Sequence, residues 1–194
     1  MASFETTAFE GTAFDAASPS LPSEGRTMSL ESKITAKIDA TEGSALDLGS
    51  GSARVTLEKL LALGNGTGNG QADMIWSDTR TIAASSSENL DLAGVLVGAF
   101  GNTLTFAKIK AILVVADAGN TNDVVVGAAG SNTFVGPFAD ATDAIKVKPG
   151  GVFLAVAPNT GWTVTASTGD ILKVANSGSG TGVTYSVILI GTSS

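Results

Sequence analysis

The stretch GWTVTASTGDILKVANSGSGTGVTYSVILIG, residues 161–191, contains three short segments in which apolar and polar residues alternate. The segments are residues 162–167, 170–176 and 183–191, and glycine-containing turns separate them. Alternation with a period of two is typical of a half-buried β-strand, and glycine supplies the positive φ angles that tight connections need. The stretch therefore predicts three consecutive strands joined by short turns.

The same pattern extends upstream over most of the chain. Further candidate strands are residues 73–83, 88–92, 104–116, 123–128, 133–138, 144–148 and 152–157. Turn-forming groups such as Gly119-Asn120 and Pro149-Gly150 stand at nearly every junction between them. Many short strands with glycine and proline turns, and no alternation with helices, predict an all-β fold. We expect a jelly-roll-like antiparallel β-sandwich over residues 28–194.

The body begins with a strand of clear alternation after Met28. One face carries the apolar residues Leu30, Ile34, Ala36 and Ile38, and the other face carries Glu31, Lys33, Thr35, Lys37 and Asp39. This pattern predicts a half-buried strand, because the side chains of a strand point alternately to its two faces.

The segment 54–63 is ambiguous between helix and strand. Leu57, Leu60 and Leu61 are at helical spacing, whereas Val55 and Leu57 alternate as in a strand. We favour a strand for this segment.

The first 27 residues differ from the rest of the chain. Phe4, Phe9 and Phe14 are each followed by an acidic residue, in the pentads SFETT, AFEGT and AFDAA. A spacing of five fits neither a helix nor a strand, so the rings do not line one face of a regular element. A disordered tail is one interpretation. Because such tails are usually poor in aromatic residues, we favour an extended N-terminal arm, residues 1–27, whose three rings dock into pockets on another subunit.

Composition excludes most catalytic chemistry. The 194 residues include no His and no Cys, so there is no imidazole base and no thiolate nucleophile. The formal net charge of -7 argues against nucleic acid as a partner. Neither a secretory signal nor a run long enough to span a membrane is recognisable. We expect no enzyme activity, no cofactor, no metal and no membrane partner.

Two polar segments resemble ligand-binding loops but lack the required spacing. Residues 64–70, GNGTGNG, lack the Lys-Ser/Thr of a phosphate-binding loop, so a mobile linker is expected. Residues 117–123, DAGNTND, lack the terminal glutamate of an EF-hand, so a hairpin turn is expected there, with an adventitious cation site as the alternative.

Four further residues invite a sugar-active interpretation. Asp140 and Asp143 are close enough in sequence to suggest a carboxylate pair, but solvated loop acids explain them better. Trp76 and Trp162 could stack on sugars, yet packing in a core or an interface is the better interpretation.

From Ser29 onward the chain resembles a group of small virion proteins of tailed bacteriophages and prophages. The resemblance is carried by ITAKIDATEGSALDLG (34–49), GQADMIWSDTRTIAASSSENLDLAG (70–94), VKPGGVFLAVAP (147–158) and the opening stretch 161–191. These are packing and turn signatures, with no catalytic motif among them. The resemblance implies a β-sandwich that belongs to a phage particle, as a capsid decoration (cement) protein or the head-proximal part of a fibre.

Together these features predict a structural role. We expect a homotrimer that stabilises the head shell, assembled in the host cytoplasm into the virion, with the major capsid protein or another virion subunit as partner. The alternative is a tail or fibre module whose loops bind a host surface glycan.

Overall fold

The structure is a computed structural model, and it describes residues 29–194. No helix occurs in this part of the chain. The strands are β1 (Ser32–Leu46), β2 (Gly49–Asn65), β3 (Gln71–Ala72), β4 (Met74–Ile82), β5 (Ser87–Asp91), β6 (Leu96–Val97), β7 (Thr103–Leu104), β8 (Lys108–Ala116), β9 (Val124–Gly127), β10 (Ala144–Val147), β11 (Val152–Val156), β12 (Trp162–Thr163), β13 (Ile171–Asn176) and β14 (Val183–Thr192).

Two antiparallel sheets form the body. One has the strand order β11-β8-β14-β4, with β12 also paired to β8, and the other has the order β10-β9-β13-β5. Buried apolar side chains from both sheets belong to one core cluster, so the sheets pack face to face. The predicted all-β antiparallel sandwich is confirmed.

The strand pairing is nested along the chain. The first long strand of the body, β4, pairs with the last, β14, and β5 pairs with β13. Inside these pairs, β8 pairs with β11 and β9 with β10. A ribbon of paired strands folded over in this way fits the jelly-roll-like interpretation of the sequence.

The core is filled by large side chains from the strands and from the connections between them. Tyr185, Phe106, Phe134, Leu172 and Ile112 are almost completely buried. Burying side chains of this size stabilises a fold by about 1.5–3 kcal/mol each before entropy is subtracted. Trp76 and Trp162 also belong here, the first buried and the second partly buried against the cluster, which confirms their predicted packing role.

One predicted strand, residues 133–138, is wrong. Only Thr133 pairs, with Ile171, and the chain then turns so that the Phe138 backbone N–H donates to the Val135 carbonyl. The cause is Gly136, which lies so close to the Phe134 ring that an added Cβ would be 2.3 Å from it. The buried Phe134 ring packs over the backbone of Gly136, so these alternating residues form a turn and not a strand.

Two other predicted strands are shorter than the alternation suggested. Residues 104–116 are divided between β7 and β8, because the Phe106 N–H donates to Leu92 O and the Ala107 N–H to Thr192 O instead of continuing one ladder. Residues 162–167 contain only the two residues of β12, since the chain turns at Thr165, which bonds to Gly169.

The polar segment 117–123 is not a hairpin turn as expected. It joins β8 in one sheet to β9 in the other, and these strands do not pair with each other. Asn120 holds it in place, because its Nδ2 donates to Thr184 O while its Oδ1 accepts from Thr184 N, both at 2.8 Å. The segment therefore connects the two layers of the sandwich.

The glycine-rich segment 64–70, expected to be a linker, is a compact turn. The Gly64 N–H donates to Gly70 O, and the Gly68 N–H donates to the Gln71 side chain at 2.9 Å. Gly66 has a φ of 135°, a conformation that residues with a side chain rarely adopt, so the turn needs glycine there. Through this turn β2 passes into β3, which pairs with it in parallel.

The strands β1 and β2 form a long hairpin outside the two sheets of the sandwich. All 15 residues of β1 pair with β2, which confirms a strand over most of residues 28–39 and strand rather than helix at 54–63. The predicted half-burial holds only at the base, because every β1 residue beyond Ile34 is exposed. The N-terminal arm, residues 1–27, lies outside the described residues.

Candidate docking surface

The hairpin projects from the body. Strands rise about 3.4 Å per residue, so the exposed part of β1, from Thr35 to Leu46, extends about 40 Å. A two-stranded ribbon on its own is at best marginally stable in water, because at least one face needs cover. The hairpin is therefore the part of the described chain that most resembles a surface built for a partner.

One face of the hairpin is apolar. Directly opposed residues of an antiparallel pair share a face, so the register places Ile38 beside Leu57 and Ala40 beside Val55. The exposed fractions of Ile38, Leu57 and Val55 are 68%, 72% and 68%. Leu46 extends this face to the tip, where Leu48 is fully exposed. We call this surface the apolar hairpin face.

The opposite face is mostly polar, with Leu60 as its exposed large apolar residue, and its charges except Lys33 are paired within the described residues. Lys37 Nζ lies 3.1 Å from Glu58, and Arg54 Nε donates to Asp39 Oδ1 at 2.8 Å. The Arg54 guanidinium and then the Thr56 hydroxyl lower the pKa of the Asp39 carboxyl, because both donate hydrogen bonds to its charged form. Exposed pairs of this kind add little stability, but they leave this face suited to water.

The base of the hairpin packs against the outer face of the body. Leu63 of β2 joins Ala72, Ala111 and Ile190 in a small buried cluster, with Ile34 partly buried against it. This cluster is separate from the main core, which explains how the hairpin is held without contributing to the sandwich interior.

A groove continues the apolar hairpin face onto the body. It measures about 320 Å³ and lies between β1 and the outer face of the larger sheet, where Leu113, Leu154 and Ile188 line it and Lys33 stands at its side. At the sheet edge, Val152 remains 62% exposed. Apolar surface is thus continuous from the hairpin to the sheet.

A second apolar area lies beyond the other edge of that sheet. Phe100 follows β6 and is 76% exposed, and with Ile75 of β4 it lines a cleft of about 160 Å³. Val95 and Val97 are also exposed in this segment. Because Ile75 stands in the same row as Ala111 and Ile190, this area adjoins the hairpin base.

A buried lysine fixes the junction between hairpin and body. Lys110 is almost completely buried, and its Nζ donates to Gly68 O at 3.3 Å and to Asn159 O. Burial and then the charge of Lys108 lower its pKa. The Lys110 ammonium group donates to backbone carbonyls of two loops, so its role is to hold these loops together. It is not positioned for catalysis.

A polar network between Tyr185 of β14, Arg80 of β4 and Glu88 of β5 is also structural. The Tyr185 hydroxyl donates to Glu88 at 3.0 Å, and Arg80 bridges Glu88 and Asp78. Burial first, and then the Glu88 charge, raise the pKa of Tyr185. A phenol held neutral in this way is a hydrogen-bond donor, which satisfies a carboxylate at the edge of the core.

The carboxylates considered for sugar chemistry serve a loop. Asp140 Oδ1 accepts from the backbone and the hydroxyl of Thr142, and Asp143 accepts from the Asp140 N–H at 2.9 Å. The Thr142 backbone hydrogen bond, and next its hydroxyl, lower the pKa of Asp140. Both groups are exposed turn acids, which confirms the solvated-loop interpretation.

The predicted docking residues Phe4, Phe9 and Phe14 lie outside the described residues. Between Ser29 and Ser194 no three or more acidic side chains are grouped so that they could hold a metal ion. The same part of the chain has no helix that is long and apolar enough to cross a membrane. Comparison with protein-family models, with curated proteins and with solved structures finds no match.

The hairpin itself was not anticipated from the sequence as a projecting element. Alternation in β1 and part of β2 was visible, and Asp47 and Gly49 at the connection between them were signals for a turn. Phe100 was also missed, because a single aromatic residue in a glycine-rich segment carries no periodicity.

Proposed function

We propose that the chain is a non-enzymatic structural protein of a tailed-phage virion, a decoration or cement protein that binds the head shell. The strongest support is the exposure of large apolar side chains along one face of a hairpin about 40 Å long and on the adjoining sheet. Contiguous exposed apolar surface of this kind marks an interaction site. The resemblance of residues 29–194 to small virion proteins supplies the type of assembly.

The mechanism is adhesive. A symmetric oligomer placed over a symmetry axis of the shell contacts several capsid subunits at once, so modest individual contacts combine into near-permanent attachment. The proposed partner is the major capsid protein or another virion subunit, and the protein acts in the virion after assembly in the host cytoplasm. The described polar groups serve turns and internal networks, which fits a protein without a reaction to catalyse.

The direct test is addition of the purified full-length chain to particles that lack it. We expect saturable binding with a fixed number of copies per head. We also expect decorated heads to be disrupted at a higher temperature than heads without the protein. Pelleting and a thermal release assay measure these two results. Binding to tails or to surface polysaccharide, with none to heads, would contradict the proposal and favour the glycan-binding fibre module.

We further propose that the isolated protein is a homotrimer. Sedimentation equilibrium at micromolar concentration should then give a mass that is a multiple of three chains of 19.3 kDa, about 58 kDa for one trimer. A mass of one or two chains would contradict the trimer while leaving attachment to the particle possible.

A further inference from the structure

The apolar hairpin face carries one positive and one negative charge. Lys59 lies opposite Ala36 near the base, and Glu42 lies opposite Ala53 toward the tip. Neither side chain makes an ion pair within residues 29–194. The two charges are placed symmetrically about the middle of the face, which is the boundary between the Ile38–Leu57 row and the Ala40–Val55 row.

We propose that the hairpins of two copies of this chain pack with their apolar faces together, antiparallel, about a two-fold axis at that middle. In this arrangement Lys59 of each copy reaches diagonally to Glu42 of the other, because the Lys59 row of one hairpin faces the Glu42 row of its partner. Both charges of each copy are then neutralised between copies. This contact rests on described residues alone and stands whether or not the protein belongs to a virion.

The sizes of the facing residues agree with this arrangement. The row of Ile38 and Leu57 faces the smaller pair Ala40 and Val55 of the other copy. Near the base, where Ile34 and Leu61 are already half-buried, the residues of the other copy at that level are the small pair Ser44 and Gly51, which need little room. Large side chains against small ones interdigitate, which gives dense packing without voids.

The tip of each hairpin reaches the groove of the other copy. Leu46 comes to the level of Ser32 and Leu63 of the partner hairpin, where Leu63 is buried against that copy's own body, so Leu46 contacts the groove beside it. The groove of about 320 Å³ beside Ile34 opens at that level. The fully exposed Leu48 is next to it in the turn, so apolar side chains are available to fill an apolar groove.

Parallel packing of the hairpins, including packing around a three-fold axis, is disfavoured by the same residues. Equal rows would then meet at the same level, so Lys59 would lie near Lys59 and Glu42 near Glu42. Like charges at short range are destabilising, and the large rows would face each other while Ser44 and Gly51 left a gap. A homotrimer must therefore form through other surfaces, with the hairpins joining one trimer to the next.

The hairpin face supplies about half of the area that a stable interface needs. Strands lie about 4.8 Å apart and rise about 3.4 Å per residue, so one face of the projecting ribbon covers about 400 Å². Stable interfaces bury about 800 Å² per partner. The tips in the grooves and the adjoining sheet surface bring the contact toward that size.

Charge exchange tests the pairing in the full-length protein. We expect Lys59→Glu or Glu42→Lys alone to weaken self-association about tenfold, because each change places like charges together at two contacts. The double variant should return to within about threefold of the wild-type constant. Lys146→Glu, at an exposed position of β10 without an ion pair among the described residues, makes the same charge change away from the hairpin and should have no effect. Sedimentation velocity over a concentration series measures all five proteins.

Other outcomes overturn the proposal. Equal constants for the wild type and both single variants would indicate parallel packing, in which each change only exchanges one like-charge pair for another, or the absence of a hairpin contact. No self-association of the wild type would also remove the hairpin contact.

A distance measurement tests the orientation independently of affinity. The chain has no cysteine, so Asp47→Cys provides a single site for a spin label at the tip. The antiparallel pair separates the two tips by about 50 Å, since each lies about eight residues from the two-fold axis. A distance below about 20 Å would show parallel packing and overturn the proposal.

Discussion

Replacing Gly191 by alanine is expected to lower the free energy of unfolding by about 3 kcal/mol, the upper end of the usual cost of overpacking. A Cβ at this position would lie 2.1 Å from the Lys108 carbonyl oxygen and 2.7 Å from the Phe106 ring. The site is a register irregularity where β14 pairs with β8, so the clash involves backbone that other strands hold in place. Urea unfolding at fixed protein concentration, followed by the fluorescence of the buried Trp76, measures the change.

Gly43→Ala is the matched control. Gly43 lies in the exposed part of β1, and an added Cβ there would have no atom within 4 Å. We expect its free energy of unfolding to stay within about 0.5 kcal/mol of the wild type. Equal unfolding midpoints for the two alanine variants would show that the pairing of β14 with β8 is looser than described.

Alternation predicted the body well because each sheet has one face on the core. In the first half of β14 the buried residues Val183, Tyr185 and Val187 alternate with Thr184 and Ser186, and the same period is visible in the sequence VTYSV. The failure at residues 133–138 has a local cause. Alternation cannot show that the Phe134 ring folds back over Gly136, because that contact depends on a turn and not on a period.

The hairpin shows a second limit of the sequence. Alternation told which residues of β1 share a face, and Ile38 and Ala40 do share one with Leu57 and Val55. Alternation does not show what packs against that face, because the residue pattern is the same whether the face packs against the body or against another molecule. The sequence therefore predicts half-burial for residues of β1 that are exposed in the described chain.

Removing residues 1–27 is expected to leave the sandwich folded and to weaken attachment to the particle by more than a hundredfold. The main core begins at Trp76 and the hairpin base at Leu30, so the deletion removes no residue from either described cluster. Unfolding by urea should be unchanged. Binding of the full chain and of the shortened chain to particles that lack the protein, measured by pelleting, gives the loss of attachment.

The three rings should account for most of that loss. Replacing Phe4, Phe9 and Phe14 together by alanine removes aromatic anchors that, at interface hot spots, contribute about 2 kcal/mol or more apiece. Converting the acids that follow them, Glu5, Glu10 and Asp15, to their amides is the matched control and should change attachment much less, because exposed ion pairs contribute little. Attachment should accordingly depend only mildly on salt. If the shortened chain binds particles as tightly as the full chain, the pentads have no docking role and the exposed apolar surface of the sheet must hold the protein on the shell by itself.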